Sequence, residues 1–296
     1  IQTWTQESSL YCHDPKLNKN IKINIRPQSK YGNSDDLIVK EIEIPSHDGM
    51  MVPLSIVYSK NTKLDGNNQT LLEAYGAYGV SLNAQFDARI LAWIKLGGIY
   101  AVAHVRGGGE KGDSWYKGGF KSTKPNTWKD FIACAEYLIK NQYTSSSKLA
   151  ATGGSAGGIT VGMSIIEKPE LFKAAVIDVG ALNSLRLEGE KNSISVTEFG
   201  TASDSIEFNY LYNMDVFHHI QENKHYPSLL FTAGLNDARI GFGQTAKAVV
   251  RFQEVSINKS NIVLFKIGEN GHAGDSDGVK QLLDSYSFLL WQLNRQ

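Results

Sequence analysis

Leu149-Ala150-Ala151-Thr152-Gly153-Gly154-Ser155-Ala156-Gly157-Gly158 is the stretch on which the reading of this chain turns. Leu149 to Thr152 is a short run of the kind that forms a buried strand, and Gly158 to Glu167 reads as a helix. Between them lies the pattern G-x-S-x-G, a nucleophile elbow in its expected context. A strand that turns into a helix over so few residues forces Ser155 into strained backbone angles. Glycines on both sides are then needed to keep the turn from colliding with its neighbours. Such a turn lifts the serine hydroxyl above the sheet and aims the following N–H groups at an incoming carbonyl oxygen. A glycine-rich turn kept for packing, with an inert serine, is the alternative that the pentapeptide alone leaves open.

The residues downstream weigh against that alternative. A serine hydroxyl is a weak nucleophile at neutral pH; it needs a base, usually His, and a carboxylate to hold the base in the right tautomer. In chains built around this elbow the acid follows the serine and the His follows the acid, each just past a strand. Ser228 to Ala233 is an apolar strand pattern running into Gly234-Leu235-Asn236-Asp237. Asn261 to Ile267 is another, running into Gly268-Glu269-Asn270-Gly271-His272, and Gly241 to Gln253 between them has helical spacing. Asp237 and His272 thus fall on loops at the carboxyl ends of strands, the edge at which open parallel sheets place their sites. Ser155, Asp237 and His272 are the candidate catalytic triad.

The 296 residues suffice for one large domain or two small ones. A hydrophobic share of 42% with 20% charged residues fits a folded globular chain and argues against disorder. Thirty basic and 30 acidic residues balance to zero, which speaks against a nucleic-acid partner. No apolar run approaches the roughly 20 residues of a membrane span, and no membrane partner is expected. Cys12 and Cys134 are too few and too far apart for a disulfide framework, and Cys134 reads as a buried thiol in an amphipathic helix. Ile1 rather than Met opens the chain, so the absence of a signal peptide here says nothing about a native precursor. Cytoplasm and periplasm both stay open, as does the oligomeric state.

Along the chain, residues 1 to 36 mix strand-like pieces such as Ile21 to Ile25 with polar residues and offer no helix. Leu37 to Ile44 and Met51 to Tyr58, joined by Pro45-Ser46-His47-Asp48-Gly49, read as a β-hairpin. Strands and helices then alternate: strand Thr70 to Tyr75, helix Ala84 to Leu96, strand Ile99 to Val105 and helix Asn126 to Asn141. The elbow unit, a strand from Ala174 to Asp178, the two strands leading to Asp237 and His272, and a last helix from Val279 to Gln292 complete the series. That alternation predicts an α/β fold: a mainly parallel, doubly wound sheet covered by helices on both faces, with a short β-rich N-terminal segment. Gly180 to Pro227 is a long excursion before the acid strand, in a place where substrate-shaping insertions occur.

Several motifs together resemble the catalytic domain of the prolyl oligopeptidase family of serine peptidases, an α/β-hydrolase fold. Ser46-His47-Asp48-Gly49 with Val52 to Tyr58 is similar to the family's first strands, and Tyr75-Gly76-Ala77-Tyr78-Gly79 to its oxyanion loop. His104-Val105-Arg106-Gly107-Gly108-Gly109-Glu110 with Trp115-Tyr116-Lys117-Gly118-Gly119 resembles its most distinctive block, which ordinary esterases lack. The resemblance implies that Tyr75, with the backbone N–H of Ala156, forms the oxyanion hole. It implies substrate-binding roles for Tyr78 and for Arg239, the latter in Asp237-Ala238-Arg239. A core aromatic and a surface ion pair are the plain alternatives for Tyr75 and Arg239. Arg106 and Glu110 read as structural. Family members carry a β-propeller ahead of the catalytic domain, so residues 1–36 resemble its last strands plus a linker, and 37–296 the catalytic domain of a truncated member or a fragment.

The excursion departs from both branches of the family. It has no tryptophan to stack on a substrate proline, and Thr197-Glu198-Phe199-Gly200 keeps only part of the acidic pattern of the branch that prefers basic residues. Glu188 and Glu190 are either a displaced acidic pair or a solvated face. His104 reads as structural, and His218, His219 and His225 lack the carboxylate or cysteine spacing of a metal site. Gly107-Gly108-Gly109 lacks the Lys-Ser/Thr end of a P-loop. No cofactor and no metal are expected. The expected activity is hydrolysis of peptide bonds in short peptides. The rivals are a carboxylesterase or acylaminoacyl-releasing hydrolase with the same triad, and a catalytically silent interaction domain.

Overall fold

The computed structural model describes residues 2–23, 34–188, 193–256, 261–272 and 278–294. An antiparallel pair, β1 (Leu10–Asp14) and β2 (Lys19–Ile23), forms a separate two-stranded sheet. The hairpin follows as β3 (Leu37–Pro45) and β4 (Met51–Ser59), closed by a turn in which the Ser46 N–H donates to the Met50 carbonyl at 2.8 Å. Next come β5 (Thr70–Glu73), α1 (Ala88–Lys95), β6 (Ile99–Ala103), α2 (Asp113–Lys117) and α3 (Pro125–Lys140). The elbow joins β7 (Leu149–Gly154) to α4 (Gly157–Glu167), and β8 (Ala174–Asp178) follows. The excursion carries α5 (Ser193–Phe199), α6 (Ser205–Asn213) and α7 (Val216–His219). The chain then runs through β9 (Ser228–Gly234), α8 (Phe242–Val255), β10 (Val263–Gly268) and α9 (Gly278–Asn294).

Eight strands pair in the order β10-β9-β8-β7-β5-β6-β4-β3. All neighbours are parallel except β3–β4 and β4–β6, so the expected mainly parallel sheet is present with an antiparallel edge. Successive strand residues point to opposite faces, and both faces are apolar. Leu72, Ala101, Ala151 and Ala175 pack with Trp128, Phe131, Ile159 and Phe252 of α3, α4 and α8. Leu71, Tyr100, Ala150 and Val176 pack with Trp93 of α1 and with Tyr286, Leu289 and Leu293 of α9. Each Leu, Ile, Val or Phe among them contributes about 1.5–3 kcal/mol by leaving water. Trp4 joins the second face and donates its indole N–H to Glu41 at 2.7 Å, which ties the start of the chain to β3.

Element boundaries shift where capping overrides periodicity. The helix expected from Ala84 starts at Ala88, because the Asp87 carboxylate accepts from the Arg89 N–H and caps it. Pro125 stands at the first position of α3, where its missing N–H is no loss. The strand expected to reach Tyr75 ends at Glu73, and the one expected to reach Val105 ends at Ala103. Both yield to tight loops that pack on each other. In that contact Gly107 (φ +94°) comes so close to Gly76 that a Cβ would fall 2.2 Å from its carbonyl oxygen. Residues 24 and 25 of the expected strand Ile21–Ile25 lie outside the described residues.

The glycine-rich block is fastened by buried charge. Arg106 is 4% exposed and Asp130 fully buried. The Arg106 backbone N–H and Nε donate to Asp130 Oδ2 at 3.0 and 2.9 Å, and its terminal nitrogens reach Asp130 Oδ1 and Asp48 Oδ2, each at 2.6 Å. Ser46 Oγ donates to the same Asp130 carboxylate at 2.6 Å, so hairpin turn, block and α3 meet at one planar network. Glu110 accepts from the Leu82 N–H at 3.0 Å. Under the elbow on the other face, burial pushes the Glu73 and Asp178 carboxyls above the ordinary range. The Tyr100 hydroxyl donates to Glu73 at 2.5 Å, and Thr232 and Gln281 donate to Asp178.

Asp130→Ala leaves the Arg106 guanidinium buried with only Asp48, so unfolding free energy should fall by about 3–5 kcal/mol. Urea denaturation checks this, and a loss below about 1 kcal/mol would mean that the guanidinium finds another partner. Glu73 gives a pH test. Its folded pKa lies above its unfolded one, so its contribution is complete below the unfolded pKa and is lost as pH rises through the folded value. Glu73→Gln, neutral throughout, should therefore melt higher than wild type near about pH 8 and lose that advantage near about pH 4. Equal melting shifts at both values would show that the Glu73 carboxyl titrates alike in the two states.

Candidate active site

Ser155 sits at φ +53°, in the left-handed region that costs a non-glycine residue about 1–2 kcal/mol. The surrounding backbone holds it there. Its N–H donates to the Asp178 carbonyl at 2.9 Å, and its carbonyl accepts from Ala181 N–H at 2.9 Å and Gly158 N–H at 3.0 Å. A Cβ on Gly157 would lie 2.8 Å from the Ala74 carbonyl, so only glycine lets α4 start this close to the end of β5. Ala156 heads α4, where first-turn N–H groups have no intrahelical acceptor.

Asp237 lies three residues past β9 and His272 four past β10, on adjacent parallel strands. Asp237 is 8% exposed. Its Oδ1 accepts from the Arg239 and Ile240 N–H groups at 2.8 and 3.0 Å, which fixes the carboxylate plane. Its Oδ2 lies 2.8 Å from His272 Nδ1, and His272 Nε2 lies 2.9 Å from Ser155 Oγ. An ionised carboxylate only accepts, so Nδ1 carries the imidazole proton and Nε2 is left to accept from the serine hydroxyl. The three residues expected from sequence order form one hydrogen-bonded line across the carboxyl edge of the sheet.

Tyr75 follows β5, and its hydroxyl lies close enough to the Ser155 side chain for that side chain to act on its titration. Burial raises its pKa, so it is a neutral donor at physiological pH. Tyr78 stands beside it at φ +58°, with its ring edge-on to Phe199 at 5.5 Å between centroids. Burial pushes the Tyr78 phenol up to about 12. The Arg239 charge opposes that rise at both phenols, so the guanidinium lies within electrostatic reach of them.

Two buried charges stand behind the loop that carries Tyr75: Glu198, whose stretch the sequence marks by its partial acidic pattern, and Lys124, which no sequence signal marks. Glu198, from the Thr197-Glu198-Phe199-Gly200 stretch, is 2% exposed, with Oε1 accepting from the Tyr78 N–H at 2.7 Å and Oε2 from the Tyr116 hydroxyl at 2.6 Å. Lys124 is fully buried and donates to the Gly76 carbonyl. Glu188 accepts from the Thr201 hydroxyl and the Ala202 N–H instead of facing the site, and Glu190 lies outside the described residues. His218 and His219 pair with the side chain and carbonyl of Asp215 at the end of α7. His104 Nε2 lies 2.7 Å from Ser55 Oγ, away from the triad line.

A sequence model described as the prolyl oligopeptidase family matches residues 84–296. The prolyl endopeptidase of Elizabethkingia meningoseptica is 34% identical over 280 residues, covering 93% of this chain and 39% of that protein. Among solved structures, prolyl oligopeptidase B from Galerina marginata, bound to a 35mer hydrolysis and macrocyclization substrate, superposes with a TM-score of 0.92 at 30% identity. It covers 100% of this chain and 43% of that one. Oligopeptidase B from Leishmania major superposes with a TM-score of 0.87 at 28% identity, covering 99% and 42%. This chain spans about two fifths of the length of these relatives. With a fold shared with these solved structures, and the family's sequence signature over residues 84–296, the chain belongs to the prolyl oligopeptidase family.

Proposed function

We propose that this chain is the catalytic unit of a serine peptidase that hydrolyses peptide bonds in short peptides through an acyl-enzyme. The observation that carries the reading is the line Asp237–His272–Ser155, at 2.8 and 2.9 Å. His272 Nε2 takes the Oγ proton as Ser155 attacks the scissile carbonyl, and Asp237 holds the ring and stabilises the imidazolium. Tyr75 and the Ala156 N–H donate to the oxyanion as it forms. The leaving amine takes the proton from His272; water, activated by the same nitrogen, then releases the acyl group.

Arg239 is assigned to a substrate carbonyl: its guanidinium is exposed, lies two residues past Asp237 and carries only donors. Tyr78 forms the neighbouring wall with its ring. Relatives named prolyl endopeptidase and oligopeptidase B support a peptide substrate, and the balance of 30 basic and 30 acidic residues offers no field for nucleic acid. Among the described residues no helix is long and apolar enough to cross a membrane. We also propose that residues 37–296 are the catalytic domain and that residues 1–36 end a neighbouring propeller. The separate β1–β2 sheet, with Leu10, Tyr11, Ile21 and Ile23 exposed, supports this.

Ser155→Ala should abolish both fluorophosphonate labelling and hydrolysis of chromogenic peptides ending in proline or arginine. Asp237→Asn should lower kcat by about 10⁴ by fixing the wrong tautomer of His272. Labelling that survives Ser155→Ala would remove Ser155 as nucleophile. Arg239→Ala should raise KM about tenfold with a smaller change in kcat, as expected for a contact present in both ground and transition states. Steady-state kinetics on whichever peptide is cleaved decides this, and an equal fall in kcat would move Arg239 to the transition state.

A further inference from the structure

The loop that carries Tyr75 is an unfavourable piece of backbone. Gly76, Tyr78 and Gly79 all have positive φ, at +81°, +58° and +63°, and Tyr78 has a side chain to strain there. A conformation of that kind persists only where its surroundings fix it. The hydrogen bonds of the loop show what does. The Tyr75 carbonyl accepts from Thr160 Oγ1 at 2.7 Å, and the Gly79 N–H donates to the Gly107 carbonyl at 3.0 Å. The two groups at the centre of the turn go to charged side chains: the Gly76 carbonyl to Lys124 Nζ and the Tyr78 N–H to Glu198 Oε1 at 2.7 Å.

Neither charge is free for a substrate. Lys124 is 0% exposed and Glu198 2%. The second oxygen of Glu198 is taken by the Tyr116 hydroxyl at 2.6 Å, and the Lys124 ammonium lies 5.5 Å over the Phe199 ring. Burial draws the Lys124 pKa down to about 8, while the Glu198 charge supports its protonated form. A partly buried acidic residue beside a peptide site invites a reading as a binder of basic side chains. The enclosure of Glu198 speaks against that role here. Glu198 belongs to α5 in the excursion, and the excursion is fastened back by Lys121, whose Nζ meets Glu207 of α6 at 2.5 Å.

We propose that Glu198 and Lys124 are positioning residues for the oxyanion donor: they clamp the turn 76–78 from two sides and so fix the Tyr75 hydroxyl over Ser155. This rests on the proposed function, in which Tyr75 stabilises the oxyanion. It makes the excursion part of the catalytic apparatus, since the geometry of α5 is transmitted to Tyr75 through one carboxylate. A charge-assisted hydrogen bond on each side of the turn holds it more tightly than neutral partners would. Displacing a donor by even about 1 Å is enough to cost a large factor in rate.

The test is a double-mutant cycle on the rate of Ser155 labelling by a fluorophosphonate, with the full chain and the variants Tyr75→Phe, Glu198→Ala and the pair. Labelling passes through the same oxyanion site and needs no identified substrate. Tyr75→Phe is expected to slow labelling about 30-fold, Glu198→Ala about 10–30-fold, and the pair little more than either alone. Glu198→Gln, which keeps an oxygen for the Tyr78 N–H, should recover most of the rate and serves as the folded control if Glu198→Ala melts low. A purely structural Glu198 would lower the melting temperature and leave the Tyr75→Phe factor intact. Multiplying factors in the cycle, or a Glu198→Gln as slow as Glu198→Ala, would overturn the inference while leaving the proposed function standing. Absence of Ser155-dependent labelling in wild type would overturn both.

Discussion

Everything at the carboxyl edge of this sheet depends on one residue held where it does not want to be. Ser155 occupies the left-handed region at φ +53°, and three backbone hydrogen bonds, to Asp178, Ala181 and Gly158, keep it there. The bond from Ser155 to Asp178 ties the elbow to β8, the neighbouring strand, and α4 is pressed against the end of β5 at Gly157. The conformational penalty of about 1–2 kcal/mol is thus spread over elements that are themselves buried on both faces. The same contacts set where the hydroxyl points, so strain and aim have a single origin. A serine in a relaxed turn would leave Oγ at the level of the strand ends, below the reach of His272.

The second constraint is the use of buried charge as fastening. Arg106 with Asp130 and Asp48 locks the hairpin turn to the glycine-rich block. That block accepts the Gly79 N–H through Gly107, and Lys124 and Glu198 hold the turn between. Buried ions add little net stability compared with apolar residues of the same volume, but their hydrogen bonds are directional and their loss is severe. A close-packed apolar core fixes volumes well and angles less well. In this region several tight loops must meet within a hydrogen-bond length, and directional contacts suit that task.

The sequence carried the parts of this arrangement that are local. The elbow, the strand before each of Asp237 and His272, and the chain order of the three residues are all patterns of a few neighbours. The structure joins them through His272, by contacts of 2.8 Å to Asp237 and 2.9 Å to Ser155. The alternation of strands and helices likewise gave the mainly parallel sheet, because period-two and helical spacing are properties of short windows. Helix starts were less legible: Asp87 caps α1 four residues after the expected beginning, since a capping hydrogen bond outweighs a few residues of favourable spacing. Least legible were the partners that meet from far apart. Glu198 reaches Tyr78 across 120 positions and Lys124 reaches Gly76 across 48, and nothing in either neighbourhood announces the other. Glu198 even carries a misleading local signal, because an acidic residue in this part of the family resembles a specificity device.

The enclosure of Glu198 bears on where selectivity resides. A carboxylate selects a basic substrate only if solvent and ligand can reach it, and a side chain 2% exposed with both oxygens engaged has given up that role. Tyr75 and Tyr78, whose phenols stay neutral, and the exposed Arg239 are less discriminating: in the proposed function they serve a backbone carbonyl and the developing oxyanion, which every peptide offers. α5 of the excursion between β8 and β9 supplies Glu198, so that segment is hydrogen-bonded directly to the loop that carries Tyr75. Under the proposed clamp a change in α5 reaches the oxyanion donor, and so acts on rate even where it touches no substrate atom.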